Sequence, residues 1–266
     1  MKRIPRPKSK KYKRDPTGSK HIDDSMVSIL HRIIKNYISS VLQAVTDHWS
    51  QARKERQLGS VDLLWNQVVA AGANQIPPDL MHTVAAEFSE KGYLQGIKFA
   101  STAAEQLGFG ISLGMGPADQ STLSILINRN TLNLTNMISD LQARIATILE
   151  EGYAKGLSVR EIRDEIMRAT EIAENRAEKI ARTEVMNAVN EAAKERYRRL
   201  GIVSMEWLTA HDDRVCDLCD PLDYQIYKEK DLPYGGPPVH PNCRCTLAPV
   251  VDDESKPINI WDYVEK

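Results

Sequence analysis

The chain has 266 residues, 42% of them apolar and 6% aromatic, which is room for one large domain or two modest ones and argues against extensive β-structure. Its net charge of −1 conceals a strong asymmetry: residues 1–20 hold nine lysines and arginines against one acid, Asp15, while residues 252–266 hold five acids against two lysines. No stretch approaches the roughly 18 apolar residues of a membrane span, and the start, Met1-Lys2-Arg3-Ile4-Pro5, leads into lysines and prolines with no apolar run behind it. The expectation is a soluble protein made in the cytosol, with neither membrane nor secretory signal.

Residues 1–20 offer almost nothing to bury and read as a disordered basic arm. A first helix is expected after Asp23 or Asp24, either able to cap it. Met26, Ile29, Ile33, Tyr37, Leu42, Val45 and Trp49 recur at helical spacing, widened by Leu30, Ile34, Ile38 and Val41. A short helix follows from Ser60, and a third opens at Pro77-Pro78, since proline suits a first turn. The glycine-rich run from Gly108 to Gly116 has neither a GK[ST] ending nor a preceding strand, so it reads as a hinge and not as a phosphate cradle. A fourth helix, studded with Asn and Thr, runs from Pro117. Ser158 and Glu161 have capping-box spacing and start a helix to about Ala169. Another then runs from Glu171 to Leu200, with Gly201 as its C-cap. Its alanines, among them Ala177, Ala181, Ala188 and Ala192, make a narrow stripe that permits close helix approach.

Beyond Gly201 the period changes: Val203, Met205 and Trp207 alternate with polar residues as in a strand, and Cys245-Thr246-Leu247-Ala248 reads as a returning strand closed by Pro249. The fold class is therefore mainly α (α+β): long helices in an extended bundle, with a small C-terminal zinc-stabilised β module. The expected divisions are a basic arm at 1–20, a helical region at 21–150, a domain at 151–251 containing the module at 203–251, and an acidic tail at 252–266. That tail would dock through Ile258, Ile260, Trp261 and Tyr263.

All four cysteines fall between residues 216 and 245. In a reducing compartment such clustering points to a metal before disulfides. Cys216-x2-Cys219 can face one ion from a tight turn, and a second pair, Cys243-x-Cys245, completes a tetrahedron for structural Zn2+. His240 is a fifth candidate. Neighbours on an extended strand point to opposite faces, so one of Cys243 and Cys245 is expected to yield its place to His240. Cys216 and Cys219 are the fixed members, and the other two places fall among His240, Cys243 and Cys245. Four protein donors make a structural ion and not a catalytic one. Asp212, Asp213 and Arg214 read as turn-forming residues, with Arg214 placed to screen the thiolates or pair with Glu206.

Taken in order, Ile180-Ala181-Arg182-Thr183-Glu184-Val185, Trp207, Asp213-Arg214-Val215-Cys216-x2-Cys219 and Pro238-Val239-His240-Pro241-Asn242-Cys243-Arg244-Cys245 resemble the phage Mu F-like head morphogenesis (minor head protein) family. The resemblance covers about residues 150–250. It implies a minor structural protein of a tailed-phage head, inside the virion near the portal, assembled in the bacterial cytoplasm and acting in head assembly and DNA packaging or delivery. Its implied partners are the portal and other head proteins, with DNA contacted through the basic arm. The family often has Gly after the loop's Leu-Asp, where this chain has Tyr224, so the turn there is expected to differ. Arg182 and Glu184 match the family's ARTE string but lie two residues apart on a helix, too far around to act as one catalytic pair. Each is expected to pin the helix to a neighbour, Glu184 to the zinc module.

The alternative is a zinc-stapled DNA nuclease, faintly suggested by Gly235-Gly236 and His240-Pro241. Such an enzyme needs a general-base histidine beside a second metal, and in the module only His211 is left for that role. No nucleophile, base and orienter set marks an enzyme acting on protein. The sequence therefore favours no catalytic activity.

Overall fold

The computed structural model describes residues 2–3, 15–55, 60–73, 75–109 and 114–251. Its elements in chain order are β1 (Lys2–Arg3), α1 (Lys20–Glu55), α2 (Ser60–Ala73), α3 (Leu80–Glu105), α4 (Pro117–Lys155), α5 (Val159–Arg199), β2 (Ser204–Leu208), β3 (Ile226–Lys228) and β4 (Thr246–Val251). The mainly helical expectation holds. None of these helices is long and apolar enough to cross a membrane. The chain divides into two compact units: one of Met1–Asp24, Ala86–Asn128 and Arg182–Lys266, the other of Ser25–Ala85 and Arg129–Ala181.

The second unit is built only of helical segments. On α1, Met26, Leu30, Ile34, Tyr37, Val41, Val45 and Trp49 form the buried stripe, while Ile29, Ile33 and Leu42 flank it half-buried. Leu64 and Val68 of α2, Leu134, Leu141, Ile145 and Leu149 of α4, and Ile162 and Ile166 of α5 complete the core. Each such side chain contributes about 1.5–3 kcal/mol on burial. The Ser158–Glu161 capping box forms as expected: Ser158 N donates to Glu161 Oε2 at 2.7 Å, and Glu161 N donates to Ser158 Oγ at 3.3 Å. The expected break near Ala169–Glu171 does not occur. Thr170 Oγ1 donates to Ile166 O at 2.8 Å, so its hydroxyl bonds back along the helix instead of capping a new one, and α5 continues.

The first unit holds the sheet, in the order β1-β4-β2-β3, antiparallel throughout. Met205 lies opposite Pro249, and Trp207 opposite Leu247. Pro249 does not close β4 but lies inside it. Because β1 covers only Val250 and Val251, Pro249 has no described ladder partner on its outer side, where a residue lacking an N–H is tolerated. Alternation predicted one buried face for β2, yet Ser204 and Glu206 are buried as well as Met205 and Trp207.

Against the sheet packs a core containing Ala193, Tyr197, Leu200 and Ile202. The alanine stripe of α5 finds its counterpart in α3: a Cβ at Gly96 would lie 2.3 Å from Val189 O and 2.8 Å from Ala192 Cβ, and one at Gly92 would lie 3.1 Å from Ala188 Cβ. Only glycine allows the two backbones this near.

The arm differs from the disordered segment read in the sequence at both its ends. Lys2 and Arg3 pair with Val251 and Val250. Asp15, not Asp23 or Asp24, caps α1: its carboxylate accepts Lys20 N at 2.7 Å and Thr17 N at 2.9 Å. Gln95 Nε2 donates to Thr17 O at 2.6 Å, and Ser19 Oγ to Met186 Sδ at 3.3 Å, fixing residues 15–19 to α3 and α5. Residues 4–14 and the tail at 252–266, with its expected docking residues, lie outside the described residues, as do 110–113 of the glycine-rich run.

Candidate metal centre

The centre is assembled by two loops held against α5. The first is the tight turn at Cys216, where Cys219 N and Asp220 N both donate to Cys216 O at 2.9 Å. The second runs from His240 to Cys245, where Cys243 N donates to His240 O at 3.1 Å and Asn242 takes φ 61°. Asn tolerates that left-handed region better than most residues. Arg244 locks the loops together through two bonds to Asp212, at 2.5 and 2.7 Å. This pairing holds the Asp212 carboxyl well below the usual carboxylate range, chiefly through the Arg244 hydrogen bond. Arg214, expected near the thiolates or Glu206, instead bonds Asp212 at 3.3 Å and is exposed.

All five candidate donors converge. Cys216, Cys219 and His240 form one trio and Cys219, Cys243 and Cys245 another, with the ligand atoms of each trio within 4.8 Å of one another. Cys219 belongs to both. His240 Nε2 lies 3.2 Å from Cys216 Sγ and 3.2 Å from Cys219 Sγ, and Cys219 Sγ lies 3.9 Å from Cys243 Sγ. Tetrahedral zinc with Zn–S near 2.3 Å sets donors about 3.5–3.8 Å apart, so each trio offers three donors at about the spacing an ion needs. His240 Nδ1 lies 2.9 Å from Pro241 O; donating there leaves Nε2 to face the sulfurs, the usual second bond of a ligating histidine. Cys243 and Cys245 do not diverge as strand neighbours would. β4 starts only at Thr246, and the non-strand backbone before it lets both thiols reach Cys219.

The thiols also compete for charge. The Cys245 thiol donates to Cys243 and helps bring it down to about 5, against the effect of burial. Cys219 is pushed up to about 12 by burial and then by the Cys243 charge. Cys245 is driven far up by Cys243 and burial. Burial pushes Cys216 up, but hydrogen bonds led by those of Cys219 outweigh it and bring this thiol down too; a divalent cation would stabilise further thiolates.

Sequence reasoning named Arg182 and Glu184 of α5, and Glu184 is buried. It did not name two further residues that hold the loops: Thr183 Oγ1, accepting Asn242 N at 3.0 Å, and Asn190. Asn190 Nδ2 donates to Cys245 O at 3.1 Å, and Asn190 Oδ1 accepts from Thr246 Oγ1 at 2.9 Å. One further turn pair on, Tyr197 OH donates to Leu247 O at 3.2 Å. The spacing 183, 190, 197 keeps one helix face, and an Asn inside an alanine stripe was the available signal.

His211, the histidine left for a nuclease, is also engaged: its Nε2 lies 2.9 Å from Asp223 Oδ1 and its Nδ1 3.5 Å from Tyr224 OH. Tyr224 itself takes φ 60°. This is the left-handed backbone that a glycine favours, and here a tyrosine adopts it, its ring 4.9 Å from His211.

Residues 143–248 match the family model described as Phage Mu protein F like protein. The chain is also 30% identical, over 135 residues, to an uncharacterized protein of Methanocaldococcus jannaschii; the match covers 50% of this chain and 21% of that protein. The chain thus spans about a fifth of the length of that relative. No solved structure matches it. Over residues 143–248, then, the chain is a match to the Phage Mu F-like family, and the resemblance carried by the ARTE, C-x2-C and HPNCRC strings holds for that segment.

Proposed function

We propose that the protein is a minor structural component of a tailed-phage head, associated with the portal and acting in head assembly and DNA packaging or delivery. The match over residues 143–248 carries this reading. The convergence of five donors supports a structural Zn2+, held by Cys216, Cys219 and two of His240, Cys243 and Cys245. The ion would fix both loops against α5, beside the apolar cluster that includes Trp207, Leu232 and Leu247. A structural and not a catalytic role is supported by the partners already taken by His211.

Zinc content of purified protein, alone and as Cys243→Ser, Cys245→Ser and His240→Ala, tests the cofactor and names its donors. Co-purification with the portal ring tests the assembly role; a chain absent from purified virions would overturn it. Incubation with DNA and magnesium or manganese tests the nuclease alternative, and cleavage abolished by His211→Ala would establish it. DNA contact by the arm is supported by its charge. Because residues 2–3 and 15–19 are held in the fold, the variant to use replaces Arg6, Lys8, Lys10, Lys11, Lys13 and Arg14 with glutamine. The expected result is weaker binding, with the log–log salt slope flattened by roughly 0.9 for each phosphate no longer neutralised. An unchanged slope removes the arm from the reading.

A further inference from the structure

Arg196 lies near the end of α5 with 1% of its surface exposed, and none of its three guanidinium nitrogens has a hydrogen-bond partner among the described residues. A guanidinium presents five N–H donors. Leaving them all unmet inside a protein is rare and points to a missing acceptor, an ion or a water. Arg196 is thus unlike its neighbours Arg198 and Arg199, which have acceptors and suit the helix end as the sequence suggested.

The groups around Arg196 do not supply the acceptor. Arg199, Asp119, Tyr93 and Glu195 all lie close enough to act on its charge. Asp119, itself 1% exposed in the first turn of α4, spends its carboxylate elsewhere: Oδ1 accepts Tyr93 OH at 2.9 Å, while Oδ2 accepts Gly116 N and Arg199 Nη1, both at 2.7 Å. Glu195 Oε2 is taken by Arg198. Around these groups stand features that favour an anion. The N-terminus of the 39-residue α4 directs its first-turn amides outward. A second guanidinium, Arg199, donates to Gly114 O at 3.0 Å and would sit 3.6 Å from a Cβ at Gly116. Gly116, just ahead of that helix, has no side chain to hold an incoming group away from the backbone.

We propose that the first unit binds one oxyanion of the phosphate class at Arg196, between the end of α5 and the first turn of α4. A phosphate oxygen accepts two parallel N–H bonds from a guanidinium, which a lysine ammonium cannot provide. The site is separate from the cysteine centre and does not rest on the head-protein reading.

The test is calorimetric titration of the full chain with inorganic phosphate at constant ionic strength, with a nucleoside monophosphate and a short single-stranded DNA as parallel arms. Saturable phosphate binding is expected, at least tenfold weaker in Arg196→Met and several-fold weaker in Arg196→Lys. Tighter binding of the nucleoside monophosphate would identify a nucleotide as the source of the phosphate; tighter binding of the DNA that is lost in Arg196→Met would identify its terminal phosphate, whereas DNA binding that survives Arg196→Met belongs to the basic arm; equal affinity would identify the free ion. Absence of saturable binding in all three arms overturns the proposal and leaves a buried water as the partner. So does an affinity unchanged in Arg196→Met. If that variant does not fold, an affinity in Arg196→Lys equal to wild type overturns it.

Discussion

Replacing Asn190 with alanine removes a side chain that is fully buried and bonds two groups at the start of β4. The carbonyl of Cys245 loses its amide donor, and the Thr246 hydroxyl loses its acceptor inside a residue that is itself fully buried. The Met186 carbonyl, the third partner of Asn190, keeps its ordinary helical N–H and contributes little to the loss. Each of these two stranded buried groups costs about 1–3 kcal/mol, so the change should cost about 2–6 kcal/mol locally. Native-state amide exchange on the β2–β4 ladder is the suitable assay, since it reads local opening where a global transition over two units is not a single step. Protection there should fall roughly 30-fold to about 20,000-fold, at about 1.4 kcal/mol per tenfold. Thr246→Val strands only the Asn190 oxygen, and the double variant should cost clearly less than the sum of the two. A change under about threefold in Asn190→Ala, or strict additivity, would refute the clamp reasoning.

Three further perturbations address other parts of the molecule. Because Cys219 belongs to both donor trios, Cys219→Ser should abolish bound zinc while Cys216→Ser and Cys243→Ser each retain weaker binding; equal loss in all three by metal analysis would count against a shared donor. Gly96→Ala places a Cβ against the backbone of α5 and should destabilise by about 1–3 kcal/mol, outweighing the ~1 kcal/mol helix-propensity gain. A variant with an unchanged midpoint would sink that argument. Asp23 is raised to about 6, first by burial and then by Asp24. Its folded value exceeds the ordinary 3.8, so stability is full below that value, declines as pH rises to about 6, and stays reduced above it. Asp23→Asn should therefore be the more stable form at pH 7 and lose that advantage below about pH 4; denaturant midpoints at the two pH values decide.

Helices with a strong apolar period were legible in the sequence, and so were the Ser158 capping box and the donor cluster, because each is a local pattern of residue types. What escaped was decided by contacts between distant segments. Thr170 looks like a boundary by propensity, yet α5 runs through it with the hydroxyl bonded back to Ile166 O. Asp23 looks like the cap of α1, but a network around Asp15, anchored to Gln95 and Met186, starts the helix at Lys20. Glu206 alternates with apolar residues as a solvent-facing side chain should, yet β2 lies between two strands and is covered on both faces. At the centre, the five donors could be named but not sorted, since whether Cys243 and Cys245 converge depends on where β4 begins. At Tyr224 a left-handed position that prefers glycine is held by a tyrosine whose ring gains a packing partner in His211, a contact between residues thirteen apart that no local pattern announces.

The two-residue strand at Lys2–Arg3 has a practical side. It caps the free border of β4 where Val250 and Val251 would otherwise offer their backbone to any passing chain. Two basic side chains and the neighbouring Pro249 make that border a poor template for a stranger. Trimming the first few residues to ease expression would uncover it, and the shortened protein should associate with itself as concentration rises.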